Sequence, residues 1–192
     1  MKRFLSPVAL LAPAALFAAI TLPLLAQQPA PRRAPASPPK TASASIGGHP
    51  VTITYNSPGV KGREGQIFGP GGLIQKTHKE YPVWRAGANA ATTLTTETDL
   101  EIGDVAVPKG TYTLFVDISD PDQWVLIVNK KTGESGLAYD SSADLGKVKM
   151  QMSKPPAMVE NLTYTIDAAG GNKGKITLSW ENHSASVPVS AK

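Results

Sequence analysis

Thr111–Asn129, TYTLFVDISDPDQWVLIVN, holds two apolar runs that are joined by a polar turn. In the first run, Thr111–Ile118, alternate residues are large and apolar, which predicts a strand with one face in the core. The second run, Trp124–Asn129, is apolar on both faces, and this is typical of a strand near the centre of a sheet. Ser119–Gln123, between them, is rich in Asp and predicts a turn. The stretch therefore predicts antiparallel β-structure.

The same pattern extends to both sides of this stretch. Further strands are predicted at Val51–Tyr55, Thr92–Thr98, Lys147–Met152, Leu162–Ile166, Lys175–Glu181 and Ser186–Val189. Thr92–Thr98 has few large apolar side chains, which favours a place near a sheet edge, and Gly170–Gly174 predicts a hairpin link. Eight or nine short strands separated by turns predict an all-β fold, an antiparallel β-sandwich that is jelly-roll-like or barrel-like.

One long Gly-rich loop, residues 56–82, interrupts this regular pattern. Loops of this length are uncommon in compact domains unless they have a function. Ile67, Phe68, Leu73 and Ile74 are placed to pin the loop to the sandwich. Its glycines lack the Gly-Lys-Ser/Thr ending of a phosphate-binding loop.

The N-terminal residues predict export. Met1–Arg3 is a short cationic start, and the apolar run to Ala26 that follows predicts a signal peptide over residues 1–26, with an uncleaved membrane anchor as the alternative. Residues 27–42 are Pro-rich and predict a disordered linker, and residues 43–190 are expected to form a single β-sandwich domain. We therefore expect a secreted protein, periplasmic or extracellular, and the absence of Cys means that it folds without disulfides.

The basic charge of the chain lies mostly at its N-terminus. Residues 1–40 hold five of the 19 Lys and Arg residues and no acid, which leaves fourteen basic residues against fifteen acidic ones in the remainder. Nucleic-acid binding requires clustered Lys and Arg on the folded domain. The sequence therefore excludes nucleic acid as a partner, and it admits the membrane only if the signal peptide stays uncleaved.

The candidate site centres on Val83–Thr93, VWRAGANAATT, in which Trp84 and Arg85 precede a run of small residues that contains Asn89. A guanidinium binds carboxylate or phosphate with two parallel hydrogen bonds. If the long loop folds over Arg85, its own cations add to that charge and favour an acidic ligand. The predicted ligand-binding residues are Lys61, Arg63, Trp84, Arg85 and Asn89.

A structural role for the same residues is an equally direct interpretation. Arg85 is then an internal clamp that pairs with Asp117, Glu101 or Glu181, and Asn89 ties up the backbone of a strand or loop. We predict no catalytic residue, metal site or cofactor. The histidines, His49, His78 and His183, have no metal-ligand spacing, and no G-x-S-x-G nucleophile motif occurs.

Five ordered blocks resemble a bacterial family that is catalogued as domain of unknown function 2911. These blocks are YNSPGVKGREGQIFG at 55–69, VWRAGANAATTL at 83–94, VPKGTYTLFVDI at 107–118, WVLIVNK at 124–130 and LSWE at 178–181. The resemblance covers roughly residues 43–190 and implies an exported, β-rich protein with no established activity. The chain departs from the family pattern at Ser135, where we expect Trp.

Two functions remain open. The first is an exported, non-catalytic domain that binds a small anionic molecule, a glycan or an envelope partner. The second is an envelope hydrolase whose active site lies near Arg85 and Asn89 and is not marked by a linear motif. A hydrolase requires His78 or His183 within hydrogen-bond reach of a Ser, Asp or Glu in the same pocket.

Overall fold

The computed structural model describes residues 36–133 and 138–192, which form two antiparallel β-sheets packed face to face. The first sheet, in spatial order, contains β1 (Pro39–Ile46), β2 (His49–Asn56), β4 (Thr92–Thr96), β7 (Gly110–Asp117), β8 (Val125–Asn129) and β9 (Asp144–Lys149), with the short β3 (Val83–Trp84) also paired to β7. The second contains β11 (Val159–Gly170), β12 (Lys173–Glu181), β13 (His183–Ala191), β5 (Leu100–Ile102) and β6 (Val105–Val107), with β10 (Gln151–Ser153) also paired to β13. The signal-peptide prediction and Ser135 lie outside the described residues.

The predicted all-β sandwich is confirmed. β8 pairs with β7 on one side and β9 on the other, so it lies inside its sheet, as its continuous apolar run predicts. β11 and β12 form the expected hairpin, and Gly170 and Gly171 at its turn have φ of 94° and 57°, values that favour glycine. Trp84, Trp124 and Trp180 are all buried between the sheets.

Two strand predictions are corrected by the topology. Lys147–Met152 is two strands in different sheets, because the chain crosses the core at Met150, whose side chain is buried and whose N–H donates to Trp124 O at 2.8 Å. β4 lies inside its sheet between β2 and β7 rather than near an edge. Its Thr92 and Thr96 are buried, so small hydroxyl side chains fill the space that larger residues usually occupy.

The folded domain also begins earlier than the linker prediction of 27–42 allows. β1 starts at Pro39 and pairs along its whole length with β2. The preceding residues are held as well, since Ser57 N–H donates to Pro38 O at 2.9 Å and Asn56 Nδ2 donates to Ser37 O at 3.1 Å. The sequence of this strand shows no alternation of large apolar residues, because its central residues are Ala and Ser.

The long loop is folded against the sandwich. It contains one helical turn, α1 (Leu73–Thr77), and Ile67 and Ile74 are buried as expected. Phe68 inserts among the tryptophans, with ring centroids 5.0 Å from Trp124 and 5.7 Å from Trp180. The loop therefore closes one end of the core.

Side chains of the second sheet fix the loop backbone. Glu160 Oε1 accepts from Lys61 N–H at 2.9 Å, and the buried carboxylate of Glu181 accepts from Gly65 N–H at 2.5 Å. Asn182 Nδ2 donates to Glu64 Oε1 at 2.8 Å. Bonds of this kind give an irregular segment a single conformation.

Removing the Phe68 ring tests this closure. We expect Phe68→Ala to lower the free energy of unfolding by about 3 kcal/mol, because the substitution leaves a cavity among three indole rings. Met158→Ala is the control, since Met158 is 42% exposed and its loss is expected to cost less than about 0.5 kcal/mol. Urea unfolding measures both, and equal effects would contradict a closing role for Phe68.

Candidate functional site

A cleft of about 270 Å³ opens beside the buried Trp84–Trp180 pair, and we call it the Arg85 cleft. Its lining residues come from the segments 36–37, 58–63, 73–78 and 84–88, together with Trp180 at the end of β12. The volume lies just below the usual range for small-molecule sites. The cleft therefore has room for a small ligand, since it equals about nine times the volume that one water takes in the liquid.

Four of the five residues predicted to bind a ligand line this cleft. They are Lys61, Arg63, Trp84 and Arg85. Asn89 is exposed and lies outside the lining, although its side-chain Nδ2 donates to Ser37 O at 3.3 Å. Asn89 thus joins the Arg85 loop to the segment before β1.

Arg85 is half-buried and bonds within its own loop, with Nη1 donating to Asn89 O at 2.9 Å. The acids expected as its clamp, Asp117, Glu101 and Glu181, instead bond to Ser119, Lys192 and Gly65 respectively. Burial lowers the pKa of Arg85 from its ordinary value, yet a guanidinium keeps its proton in proteins. Arg85 therefore contributes a positive charge to the cleft.

The internal clamp that the sequence suggests is built from other side chains. Ala86 O accepts from Thr92 Oγ1 at 3.2 Å and from the Tyr164 hydroxyl at 3.1 Å. Gly87 O accepts from Trp84 Nε1 at 3.3 Å. A hydroxyl from each sheet thus holds the same carbonyl, and this fixes the loop that carries Arg85.

Gly87 is required by this close approach. A Cβ at position 87 would lie 2.7 Å from Thr92 Oγ1 and 3.3 Å from Asn56 O, so the loop or β4 would have to shift. Glycine is therefore set by packing at this position, since its φ is not in the left-handed region.

Left-handed backbone is concentrated around the cleft. Among residues 36–133 and 138–192, the non-glycine residues with positive φ are Lys61 (52°), Ala86 (51°), Asn89 (56°) and Glu181 (55°). Each lines the cleft or lies next to a residue that does. Such conformations cost roughly 1–3 kcal/mol each and cluster at functional sites.

The cations of the loop have neutral hydrogen-bond acceptors. Arg63 Nε donates to Val60 O at 2.9 Å and its Nη2 to Gly59 O at 2.8 Å, while Lys61 Nζ donates to Ala36 O at 3.0 Å. Carbonyl oxygens orient these side chains without neutralising them. No Asp or Glu occurs among the described residues that line the cleft, whereas Lys61, Arg63 and Arg85 do.

His78 lines the cleft, whereas the sequence named it only for the hydrolase alternative and not as a ligand-binding residue. Its side chain is buried, and Nδ1 lies 3.1 Å from Ile74 O and 3.0 Å from Thr77 Oγ1. Burial, and then the charge of Arg85, lower the pKa of His78 below 6.5 despite the bond to Ile74. The ring is therefore neutral at pH 7. The place of His78 beside Arg85 could not be predicted from sequence, because a helix of one turn is too short to show an apolar period.

His78 Nε2 and Trp180 Nε1 are buried polar atoms on lining residues, and neither has a hydrogen-bond partner within the described part of the chain. A buried polar atom without a partner costs about 1–3 kcal/mol. Both residues line the same small cleft.

His183 lies outside the cleft lining, stacked on Trp124 with ring centroids 5.4 Å apart. Its Nδ1 is 3.4 Å from Glu181 Oε2, and burial lowers its pKa although Glu181 opposes the shift. Among the residues that the structure describes, no three His, Asp or Glu side chains come together as metal ligands would. Within the same ranges, no helix is long and apolar enough to cross a membrane.

The lowered pKa of His78 predicts a loss of stability in mild acid. Below pH 6.5 the unfolded chain takes up a proton at this residue before the folded protein does, so the free energy of unfolding falls with pH. We expect His78→Gln to reduce that slope by up to about 1.4 kcal/mol per pH unit, the value for one proton. Urea unfolding between mildly acidic and neutral pH measures the slope.

The exposed His49 provides the control, and His49→Gln should leave the slope unchanged. An unaltered slope in His78→Gln would contradict the assignment of His78 as a buried neutral ring.

Comparison with known proteins gives one family and no individual relative. The family model described as "Protein of unknown function (DUF2911)" matches residues 37–189, which include β1 through most of β13. No curated protein and no solved structure gives a significant match. The match begins at Ser37, within the wall of the Arg85 cleft and ahead of the boundary at 43 expected from sequence. This chain therefore belongs to the DUF2911 family.

Proposed function

We propose that this chain is an exported, non-catalytic binding domain that holds a small anionic molecule in the Arg85 cleft. The observation that carries the proposal is the convergence of Lys61, Arg63 and Arg85 on one small cleft whose described lining has no carboxylate. A cleft lined by charges of one sign attracts counter-ions more strongly than the same charges spread over an open surface.

The rigidity of the three cations adds to this argument. Carbonyl oxygens hold the ammonium group of Lys61 and the guanidinium groups of Arg63 and Arg85. These three side chains are thus positioned before an anion enters the cleft, so binding costs little conformational entropy for ordering them.

The hydrolase alternative requires His78 or His183 within hydrogen-bond reach of a Ser, Asp or Glu in the same pocket. His183 lies outside the cleft lining, and the side-chain hydroxyl that His78 contacts is that of Thr77. Thr77 Oγ1 lies 3.0 Å from His78 Nδ1. Thr77 Oγ1 also donates to Leu73 O at 2.8 Å, and His78 Nδ1 faces Ile74 O, which only accepts hydrogen bonds. Because Nδ1 then carries the ring proton, it is not placed to remove one from Thr77. Binding is therefore the better-supported function.

Removing a cation tests the binding proposal. We expect Lys61→Asn to weaken binding of small anions about fivefold, because the substitution removes one positive charge from the cleft. Asn is chosen because it tolerates the left-handed backbone conformation of Lys61. Titration with lactate, propanoate, phosphate and sulfate, followed by amide NMR shifts of Gly87 and Ala88, measures the affinities. Raised ionic strength should weaken all four.

Lys175→Asn is the matched control, because Lys175 is an exposed cation on β12 that is not part of the cleft lining. Equal losses in the two variants would show that only net charge matters. Absence of any shift at the cleft amides would overturn the proposed function.

The export proposal rests on the sequence of residues 1–26 and has its own test. Mass spectrometry of the N-terminus after expression in a Gram-negative host should find a mature chain that begins near Gln27. Recovery of the soluble protein with Met1 intact would contradict cleavage. An intact chain in the membrane fraction would support the uncleaved anchor.

A further inference from the structure

We propose, on the basis of the proposed anion site, that its ligand carries a second anionic group, which binds in an adjoining depression beside Lys76. The proposed function requires one anionic group in the Arg85 cleft, whereas this inference concerns a second group outside it. The two can therefore fail separately.

The adjoining depression, which we call the Lys76 depression, has a volume of about 380 Å³. Its lining comes from the long loop between Arg63 and Leu73 and from Lys76 in α1. Arg63 and Leu73 also line the Arg85 cleft, so these two side chains mark the boundary between the cleft and the depression. Both spaces are open to solvent, and a ligand can extend from one to the other across this boundary.

Arg63 retains hydrogen-bond donors for an anion at this boundary. A guanidinium has five N–H donors, and Arg63 uses two of them, one on Nε for Val60 O and one on Nη2 for Gly59 O. The other donors have no acceptor within the described residues. Because the two carbonyl bonds fix the guanidinium, Arg63 is placed to bind an anionic ligand that crosses from the cleft to the depression.

Lys76 adds a cation that the described part of the protein does not neutralise. Its side chain is exposed and lines the depression, and Nζ has no hydrogen-bond or ion-pair partner within the described residues. No Asp or Glu occurs among the described lining residues of the depression. Lysines in other parts of the domain do pair with carboxylates, namely Lys131, Lys147 and Lys192. An acid group of a ligand is the counter-ion that Lys76 lacks.

Charge is also divided unevenly between the long loop and the rest of the domain. Residues 41–85 contain five basic and two acidic residues, a net charge of +3, whereas residues 86–192 contain nine basic and thirteen acidic residues, a net charge of −4. Neither acid of the first segment, Glu64 or Glu80, lines the cleft or the depression. Like charges that lie close together repel and lower stability. Folding alone therefore does not account for the cations gathered around α1, whereas binding of a multiply charged anion does.

The arrangement matches a ligand with two acid groups on a short spacer, one group for the cleft and one for Lys76. A short dicarboxylate such as succinate and a diphosphate such as pyrophosphate both have this chemistry. Succinate is propanoate with a second carboxylate, and succinamate has the same size with one carboxylate replaced by an amide. Comparison of these ligands separates the second charge from ligand size.

The test measures affinities at neutral pH and fixed ionic strength. We expect succinate to bind about fivefold tighter than succinamate, which is the upper end of the effect of one exposed ion pair. Pyrophosphate is compared with phosphate in the same way, and the pair with the larger preference identifies the acid group. Lys76→Gln should reduce the preference to less than about twofold and leave the affinity for propanoate nearly unchanged.

Lys79→Gln is the matched control, because Lys79 is also exposed, follows α1 closely and lines neither space. It removes the same net charge and should retain the preference. Amide NMR shifts provide a second readout. Succinate should move the resonances of Gly71 and Gly72 in the depression as well as those of Gly87 and Ala88 in the cleft, whereas propanoate should move only the cleft pair.

The outcomes distinguish the two proposals. Equal affinities within both pairs would overturn the second anionic group and leave the anion site standing. A preference that survives Lys76→Gln, or that falls equally in Lys79→Gln, would also overturn it, because net charge alone would then explain the preference. Failure of propanoate, succinate, phosphate and pyrophosphate to bind would overturn both proposals.

Discussion

The stacking of Trp84 on Trp180 is the contact on which the rest of the site depends. The rings lie 5.8 Å apart with an interplanar angle of 22°, and each belongs to a different sheet. The indole N–H of Trp84 also binds Gly87 O, so one side chain both joins the layers and sets the turn that follows it. Arg85 lies between these two attachments. Its position therefore depends on the core of the sandwich.

Hydrogen bonds from both sheets also fix this turn. Ala86 O receives the Thr92 hydroxyl from the first sheet and the Tyr164 hydroxyl from the second. Burial raises the pKa of Tyr164, so its hydroxyl stays a donor. Left-handed backbone at Ala86 presents the carbonyl to both donors. The backbone strain near the cleft is thus sustained by bonds that only a closed sandwich provides.

Sequence patterns predicted the fold wherever large apolar residues alternate, as in β7 and β12, or follow one another without a break, as in β8. They missed β1, whose inward side chains are the small Ala42 and Ala44 followed by Ile46, and the three-residue strands β5 and β6, which are too short to show a period. They also placed the predicted strand Thr92–Thr98 near an edge, because burial of Thr depends on close packing against neighbouring strands. For the site, residue chemistry identified Lys61, Arg63, Trp84 and Arg85. It did not identify Ser37 or His78, because only the tertiary fold brings a presumed linker and a single helical turn to Arg85.

The long loop has a consequence for how a ligand would be received. Its backbone amides are held by carboxylates of the second sheet, and Phe68 is held by three indole rings. A segment tied at so many points forms a wall of the cleft rather than a free lid. If the cleft binds a small anion as proposed, entry would be governed by diffusion and by the charges of the cations. Such a site would equilibrate with its surroundings rather than trap its ligand.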